Sequence, residues 1–373
     1  MSITLAIDAV YRRVASVCLL FFLLCCATPP VQANMGVPYW GGQVVAEPTG
    51  LENVAIIRET LTIDLRGLAT NAPAQVEAVY QIDNQGAERT VNLLFATGAA
   101  TVTNVEVWLN DRPLPSQPIT STLLPESWQP PQQTPGLAGV AALTYPGPDL
   151  FAQAAPIGFS PSLLAGPQTL TVRYQAAATI NLSANQPTRF WQFTYILAPA
   201  RTWATFGGLD LTVRLPTDWL AATSPALARN GDVLAATFTT LPADALAITV
   251  QAPAGWRYWA LRYGGWSLFS IALLGGGLLC WRVGRKRGHS TRASWPVALG
   301  LGLLWGMSVL VTGLLAVFAP PAAIPPLQSG TYGYGDAFAG IGIVLLSLLL
   351  LLIGFFLTLL TAQRMRRKAT LPH

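Results

Sequence analysis

Three long apolar runs near the C-terminal end place the strongest constraint on how this chain of 373 residues can fold. They cover Tyr263–Trp281, Trp295–Phe318 and Phe338–Thr361, and none contains Asp, Glu, Lys, Arg or His. A hydrocarbon core about 30 Å thick requires about 20 apolar residues in a helix. We therefore predict three transmembrane helices, at 263–281, 295–318 and 338–361, with the lipid bilayer as their partner.

Basic residues flank these runs and predict their orientation. They form one cluster after the first run and one after the third: Arg282, Arg285, Lys286, Arg287 and Arg292, then Arg364, Arg366, Arg367 and Lys368. Because Lys and Arg concentrate on the cytoplasmic side of membranes, we place the loop 282–294 and the tail 362–373 inside. The loop 319–337 and everything before residue 263 then lie outside.

The positive net charge of +5 comes from the basic clusters beside the predicted spans. Residues 34–262 contain 11 Arg, no Lys and 15 Asp or Glu, which gives 11 − 15 = −4 for that segment. The excess of positive charge therefore lies beside the membrane, and we predict no nucleic-acid partner. The same distribution argues against a basic binding patch on the large region that precedes the helices.

The N-terminal residues have the pattern of a signal peptide. Arg12 and Arg13 precede the apolar stretch VASVCLLFFLLCCA, and Val31-Gln32-Ala33 is a small-residue cleavage site. We predict a signal peptide at 1–33, with a retained anchor as the alternative. Cys18, Cys25 and Cys26 leave with it, so no disulfide is expected in the exported region 34–255.

The exported region alternates apolar and polar residues with a period of two. Leu61, Ile63 and Leu65 share one face of a predicted strand, and the pattern recurs along 76–82, 91–95, 105–109, 170–174, 209–215 and 246–250. The stretch FWQFTYIL at 190–197 is apolar on both faces, which is typical of a central strand. With turn signals such as Asn230-Gly231, this predicts an all-β ectodomain, an antiparallel β-sandwich of one or two subdomains.

A proline-rich insertion interrupts the strands at 113–139, and we predict a long loop without regular structure. Trp128 lies among its prolines and is a candidate exposed recognition tip. Trp108 alternates onto the outward face between Val107 and Leu109, where it could stack on a sugar. Trp108 and Trp128 are therefore the candidate ligand-contact residues.

The exported region lacks the side chains that most enzymes need. It contains no His, Cys or Lys, which excludes a Ser-His-Asp triad, a cysteine nucleophile, a Ser-Lys dyad and the usual zinc sites within this chain. We therefore predict no catalytic residues, no cofactor and no metal. A carboxylate-dependent glycan hydrolase remains the enzymatic alternative, although Asp64, Glu77, Glu106 and Asp210 are expected on outward strand faces.

The stretch TYGYGD at 331–336 is similar to the filter of potassium channels, which makes an ion-channel pore a further alternative. Pro320, Pro321, Pro325 and Pro326 precede it, where a channel would need a supporting helix. We therefore expect an outer loop in which Asp336 favours the N-terminus of the third helix.

Several stretches resemble uncharacterised bacterial envelope proteins that have a secreted β-rich ectodomain and C-terminal transmembrane helices. The resemblance is carried by FTYILAPARTWATFGGLDLTVRLPTDW at 193–219, with IIRETLTIDL and VEAVYQIDNQG before it. It implies a plasma-membrane location with the N-terminal domain outside, and it carries over no activity. Together these observations predict a membrane-anchored, non-catalytic binding or scaffolding protein, with an envelope protein or a glycan as partner.

Overall fold

The computed structural model describes residues 51–99, 101–118, 128–137, 139–145, 155–182, 186–287, 295–330 and 334–369. The predicted signal peptide at 1–33 lies outside these ranges. The chain divides into two compact units. One holds the described residues from 51 to 265 and from 315 to 330, and the other holds 266–287, 295–314 and 334–369.

The first unit is built from β-strands. In chain order these are β1 Val54–Asp64, β2 Ala74–Asn84, β3 Arg89–Thr90, β4 Leu93–Thr97, β5 Val102–Leu109, β6 Arg112–Leu114, β7 Ser116–Pro118, β8 Gln133–Pro135, β9 Ala142–Thr144, β10 Ala155–Phe159, β11 Ser162–Leu163, β12 Gly166–Ala176, β13 Thr179–Asn181, β14 Phe190–Ile196, β15 Leu209–Arg214, β16 Leu220–Ser224, β17 Ala228–Asn230, β18 Val233–Phe238 and β19 Ala245–Gln251.

Two large sheets form the sandwich. One has eight strands in the order β17-β18-β15-β1-β2-β12-β5-β6, and the other has seven, including the path β16-β19-β14-β4-β10-β7. Their strands pair antiparallel except for β1 and β15, which run parallel. The predicted fold class is therefore confirmed, and the parallel pair is a feature that periodicity could not indicate, because side chains alternate in the same way in both kinds of pair.

The inward faces of the two sheets share one hydrophobic core. Leu61 and Val172 of the eight-stranded sheet belong to the same buried cluster as Phe193 and Ile248 of the seven-stranded sheet. All seven residues of β14 are buried, as expected for a strand that is covered on both faces. Buried residues of the two sheets thus belong to a single hydrophobic cluster.

Two hairpins have turn residues in the left-handed conformation, and one of these turns is the predicted turn shifted by one position. Asn110 and Asp111 connect β5 to β6 with φ values of 51° and 64°, a left-handed conformation that Asn and Asp tolerate well. Gly231 has φ of 61° between β17 and β18. The turn residues there are Gly231 and Asp232, one position later than the predicted pair, because Asn230 still pairs with Val233.

The insertion at 113–139 was predicted to be an irregular loop, and for its described part this is wrong. It contributes most of β6, all of β7 and all of β8, and β8 pairs with β9 in a short hairpin. The strands are only three residues long and are interrupted by prolines, so no alternation is visible in the sequence. The prolines occupy edge positions, where a missing N–H is tolerated.

The second unit is a bundle formed by most of three helices, α1 Trp256–Arg287, α2 Trp295–Phe318 and α3 Tyr334–Ala369. The first ten residues of α1 and the last residues of α2 belong to the β unit instead. All three are long and apolar enough to span a membrane, and each contains one of the predicted spans. Thr331, Tyr332 and Gly333 of the filter-like stretch lie outside the described residues. Asp336 lies in the first turn of α3, as expected.

Glycines allow close packing inside the bundle. A Cβ on Gly276 would lie 2.0 Å from Cδ1 of Trp305, and a Cβ on Gly306 would lie 2.7 Å from the carbonyl oxygen of Ser347. The indole of Trp305 also donates a hydrogen bond to the carbonyl of Leu273 over 3.1 Å. Close packing of small residues and hydrogen bonds between helices are the main sources of attraction in lipid.

The segment between α2 and α3 belongs to the β unit. The backbone N–H of Gly330 donates to the carbonyl of Pro187 over 2.9 Å, and Nε of Arg189 donates to the carbonyl of Ser329 over 2.7 Å. A Cβ on Gly330 would lie 2.4 Å from the carbonyl oxygen of Gln186, which excludes a side chain there. These contacts fasten the predicted outer loop to the sandwich.

Candidate functional site

Polar side chains cover the outward face of the eight-stranded sheet in rows that cross the strands. Strand pairing places Glu106 opposite Arg173, Arg173 opposite Glu77, and Glu77 opposite Thr62. The alternation of acidic and basic groups along this row is favourable, because directly opposed side chains in a sheet interact. This is also the face on which the sequence placed Asp64, Glu77, Glu106 and Asp210.

One end of this face forms a groove of about 600 Å³. Its side chains provide three carboxylates, two guanidinium groups and three amides: Asp64, Glu77, Glu106, Arg173, Arg214, Gln75, Asn104 and Gln175. Small-molecule sites have volumes of about 300–1,000 Å³, so the groove is large enough to hold a ligand. It is the main candidate site on the described surface of the β unit.

Ion pairs fix the orientation of several groups in the groove. Arg173 donates from Nε to Oε1 of Glu77 over 2.7 Å. Arg66, beside the groove, donates from Nη2 to Oδ2 of Asp64 over 2.5 Å. Such exposed pairs contribute only about 0–1 kcal/mol to stability. Their effect here is to hold the carboxylates and guanidinium groups in defined positions.

A register shift between β5 and β12 shapes the floor of the groove. It falls between Arg173 and Gln175, where Asn104 adopts φ of 52°. Asn104 donates from Nδ2 to Oε1 of Gln175 over 3.0 Å. Irregularities of this kind bend a strand and redirect its side chains, and they are common beside functional sites.

Trp108 lies on the same outward face, two residues along β5 from Glu106. It is half-buried, whereas its neighbours Val107 and Leu109 face the core. Pro113 of β6 lies directly opposite it, and its indole nitrogen is buried without a hydrogen-bond partner. The ring therefore offers part of one apolar surface beside the groove, and its role as a ligand contact stays a prediction.

Trp128 does not form the exposed tip that we expected. Its side chain is 4% exposed and packs against Ala96, Ile196 and Ala198. The reason is that the side chain of Ile196 in β14 forms an apolar surface on the second face of the seven-stranded sheet. A large aromatic side chain gains about 2–3 kcal/mol by covering such a surface. The correction removes Trp128 from any exposed recognition surface.

The β8–β9 hairpin covers the rest of that second face through a buried polar layer. Gln192 donates to Oγ1 of Thr134 over 2.8 Å and to the carbonyl of Leu143 over 2.9 Å. Thr249 donates to the same hydroxyl of Thr134 over 2.8 Å. Because buried polar groups are costly when unpaired, this network makes the position of the hairpin specific.

A buried acidic group lies between the two sheets. Glu59 of β1 is 1% exposed and accepts a hydrogen bond from the phenol of Tyr195 on β14, with 3.1 Å between the oxygens. The phenol oxygens of Tyr80 and Tyr195 are 2.9 Å apart. Either phenol can be the donor in that second bond, because hydrogen bonds from both Tyr195 and Tyr80 act on Glu59. Glu59 and Tyr80 border a cavity of about 50 Å³.

Burial raises the pKa of Glu59 to about 7, and hydrogen bonding from Tyr195 opposes that rise. Burial also raises the pKa of Tyr174, whose hydroxyl lacks a hydrogen-bond partner, and the charge of Glu59 adds to the rise. The cavity is large enough for a few water molecules but not for a substrate. This cluster therefore links the sheets and is a poor place for chemistry on an external molecule.

Sequence reasoning missed Glu59, although the sequence contained a signal for it. Glu59 has the same parity as Leu61 and Ile63, which face the core. A charged residue on the apolar face of a strand is unusual enough to be singled out. Glycoside hydrolysis needs two carboxyl groups flanking one bond, whereas the groups that act on Glu59 are phenols.

The sequence matches no protein-family model and no curated protein. Among solved structures, the chain is similar to a protein of Legionella pneumophila described as a candidate nutrient binding protein, with 11% identity and a TM-score of 0.38. The alignment covers 80% of this chain and 96% of that protein. The predicted membership of an envelope-protein family stays a prediction.

Two further solved structures, a hydrolase and a metallopeptidase, are also similar. Native leukotriene A4 hydrolase from Saccharomyces cerevisiae has 10% identity and a TM-score of 0.31, over 59% of this chain and 33% of the hydrolase. A mutant M1 zinc metallopeptidase from Deinococcus radiodurans, bound to a Tyr-Ser-Ala substrate, has 11% identity and a TM-score of 0.27, over 86% of this chain and 96% of the peptidase. All three TM-scores are below 0.5, so these similarities carry no conclusion about function.

Proposed function

We propose that this chain is a membrane-anchored binding or scaffolding protein of the bacterial cell envelope, without catalytic activity. The observation that carries the proposal is the groove of about 600 Å³ on the outward face of the eight-stranded sheet. Asp64, Glu77, Arg173, Asn104 and Gln175 are held by hydrogen bonds to neighbouring side chains. This favours binding, because less order must be created when a ligand arrives.

The sequence and the helices together support the proposed location. Three helices are long and apolar enough to cross a membrane. Basic residues flank the first and third spans on the side that we assign to the cytoplasm, which supports a location of the sandwich outside. The helices then act as an anchor, and the groove is offered to partners in the envelope.

A non-catalytic role agrees with the chemistry of the groove. Partial burial of Asp64 would raise the pKa of its carboxyl, but hydrogen bonds from Arg66 outweigh burial and lower that pKa. A general acid needs the opposite, a raised pKa and a free proton. The hydrolase alternative is therefore less favourable than binding.

The ion-channel alternative depends on the filter-like stretch. A selectivity filter coordinates ions with backbone carbonyls that point into a pore. Tyr334, Gly335 and Asp336 instead begin helix α3, where carbonyl groups are directed along the helix toward the N–H groups of the next turn. Half of the stretch thus has a backbone that does not suit a filter.

The proposal is tested by retention of envelope components on the full chain in lipid nanodiscs. The protein is immobilised through a C-terminal tag and exposed to the protein and glycan fractions of a bacterial envelope extract. The groove variant Gln175→Trp fills the site, and the matched control Gln85→Trp places the same ring on an exposed position outside it.

We expect a component that wild type and Gln85→Trp retain and that Gln175→Trp loses. Equal retention by all three proteins would show that binding occurs outside the groove. The absence of any retained component would contradict the proposed function. Circular dichroism of each variant separates a blocked groove from a misfolded sandwich.

A further inference from the structure

The groove has almost no net charge, and this limits what it can bind. Its carboxylates Asp64, Glu77 and Glu106 are offset by Arg173, Arg214 and the adjacent Arg66. Strong binding of a polyanion or a polycation would require an excess of the opposite sign. An uncharged ligand that is rich in hydrogen-bonding groups fits this balance better.

Hydrogen-bonding capacity in the groove is only partly used. Nε and Nη2 of Arg173 both reach Oε1 of Glu77, at 2.7 and 2.6 Å, so the second carboxylate oxygen keeps acceptor capacity. Asn104 donates to Oε1 of Gln175, and Gln175 retains an NH₂ group that can donate. The groove thus offers both an acceptor, on Glu77, and a donor, on Gln175. A sugar hydroxyl both donates and accepts, so adjacent hydroxyls of a saccharide can pair with such an array.

Trp108 extends the array with an apolar surface on the same face. It is two residues from Glu106 along β5, which corresponds to about 7 Å at the usual rise of a strand. Rings of this kind combine a large apolar body with a small loss of conformational entropy on binding. A saccharide has polar edges and apolar C–H faces, and this combination matches a polar groove with one partly exposed indole beside it.

A peptide is a less suitable occupant. Extended peptides are bound mainly by pairing with an exposed sheet edge, through backbone hydrogen bonds. The strands under the groove, β1, β2, β12 and β5, are all interior to the eight-stranded order and already paired on both sides. The groove therefore offers side chains alone.

We propose that the groove binds an uncharged oligosaccharide through Glu77, Arg173 and Gln175, with Trp108 stacking on an adjacent sugar ring. The inference rests on the proposed binding function and names its ligand class. No bond is made or broken in this role. Envelope glycans are the sources that the predicted location makes accessible.

Isothermal titration of the full chain in nanodiscs with chitotetraose, cellotetraose and maltotetraose tests the inference. We expect saturable binding of at least one tetrasaccharide. The variants Gln175→Ala and Trp108→Ala should each weaken it about 3- to 10-fold, the loss that corresponds to one neutral hydrogen bond or one ring contact. Trp108→Phe should retain most of the affinity, and Gln85→Ala should leave it unchanged.

Failure of this inference and failure of the proposed function give different results. If none of the three tetrasaccharides binds, or if all variants bind equally, the saccharide assignment is overturned. If a protein from the envelope extract is nevertheless retained by wild type and lost in Gln175→Trp, the binding function stands with a different ligand class. If nothing is retained either, both proposals fail.

Discussion

Tyr195 of the seven-stranded sheet donates a hydrogen bond across the core to Glu59 of the eight-stranded sheet, with 3.1 Å between the two oxygens. Phe95 packs edge-on against Tyr195, with 6.1 Å between the ring centres, and against Tyr174 at 5.7 Å. The two sheets are thus joined by a polar contact inside an aromatic cluster. A buried polar link of this kind favours one relative arrangement of the sheets over the alternatives that an apolar core would allow.

The substitution Glu59→Gln should stabilise the β unit at high pH. Because the pKa of Glu59 is raised from 4.5 to about 7 in the fold, the unfolded chain loses this proton at lower pH than the folded chain. Glu59 therefore lowers stability as pH rises from about 4.5 to about 7, by an amount on the order of 3 kcal/mol that persists above pH 7. Glutamine removes this loss and can still accept from Tyr195.

Denaturant unfolding of the full chain in detergent, followed by tryptophan fluorescence, measures the effect. We expect the variant and wild type to be similar near pH 4.5 and to differ most at pH 8. The exposed control Glu88→Gln should change neither value. A wild-type stability that does not fall between pH 5 and 7 would contradict a buried, neutral Glu59.

The substitution Tyr195→Phe should raise the pKa of Glu59 further. The phenol of Tyr195 hydrogen-bonds to the carboxylate and opposes the effect of burial, so its removal disfavours the charged form. We expect a loss of about 1–3 kcal/mol, the cost of leaving a buried group without its partner. Stability should stop falling at a higher pH in the variant than in wild type. An unchanged pH profile would show that Tyr195 does not act on Glu59.

A disulfide between Thr134→Cys and Thr249→Cys should form and hold the β8–β9 hairpin on the sheet. The two hydroxyl oxygens are 2.8 Å apart, and replacement by sulfur at that separation requires little backbone movement. Residues 34–262 contain no cysteine, so no other cysteine of that segment competes for either partner. The mass measured without reductant should be two hydrogens below that of the reduced protein. Amide exchange in β8 should also be slower in the oxidised protein. Failure of the pair to oxidise would contradict the contact.

The substitution Gly276→Ala should weaken the helical bundle, whereas Gly275→Ala should not. A Cβ at position 276 would lie 2.0 Å from the ring of Trp305, and at position 275 it would meet nothing within 4 Å. Because Trp305 also donates to the carbonyl of Leu273, the ring cannot move without losing that hydrogen bond. Thermal unfolding in detergent, followed by circular dichroism, should give a lower midpoint for Gly276→Ala alone. Equal midpoints for the two variants would contradict the contact between Gly276 and the ring of Trp305.

The sequence was sufficient for the fold class and for the positions of the helices. Leu61, Ile63 and Leu65 alternate inward as predicted, because one buried face of a strand leaves a direct trace in hydrophobicity. The parallel pairing of β1 with β15 left no such trace. The three-residue strands of the proline-rich insertion were missed because they are too short, and too often interrupted by proline, to show any alternation.

The candidate site was accessible to sequence reasoning only in part. Alternation placed Glu77, Glu106 and Trp108 on one outward face, and the structure has them there. The groove itself depends on the register shift at Arg173 and on Asn104, which a single sequence does not reveal. Trp128 was misplaced because a tryptophan among prolines gives no indication of the apolar surface that it covers.

The most direct test of the whole account is labelling of the groove from outside the cell. In a background in which the 4 native cysteines are replaced by alanine, Gln175→Cys is introduced in the groove and Ser290→Cys in the predicted cytoplasmic loop. We predict that a membrane-impermeant maleimide modifies Gln175→Cys in intact spheroplasts and modifies Ser290→Cys only after permeabilisation. Labelling of Gln175→Cys that requires permeabilisation would place the groove on the wrong side of the membrane and contradict an extracytoplasmic binding role.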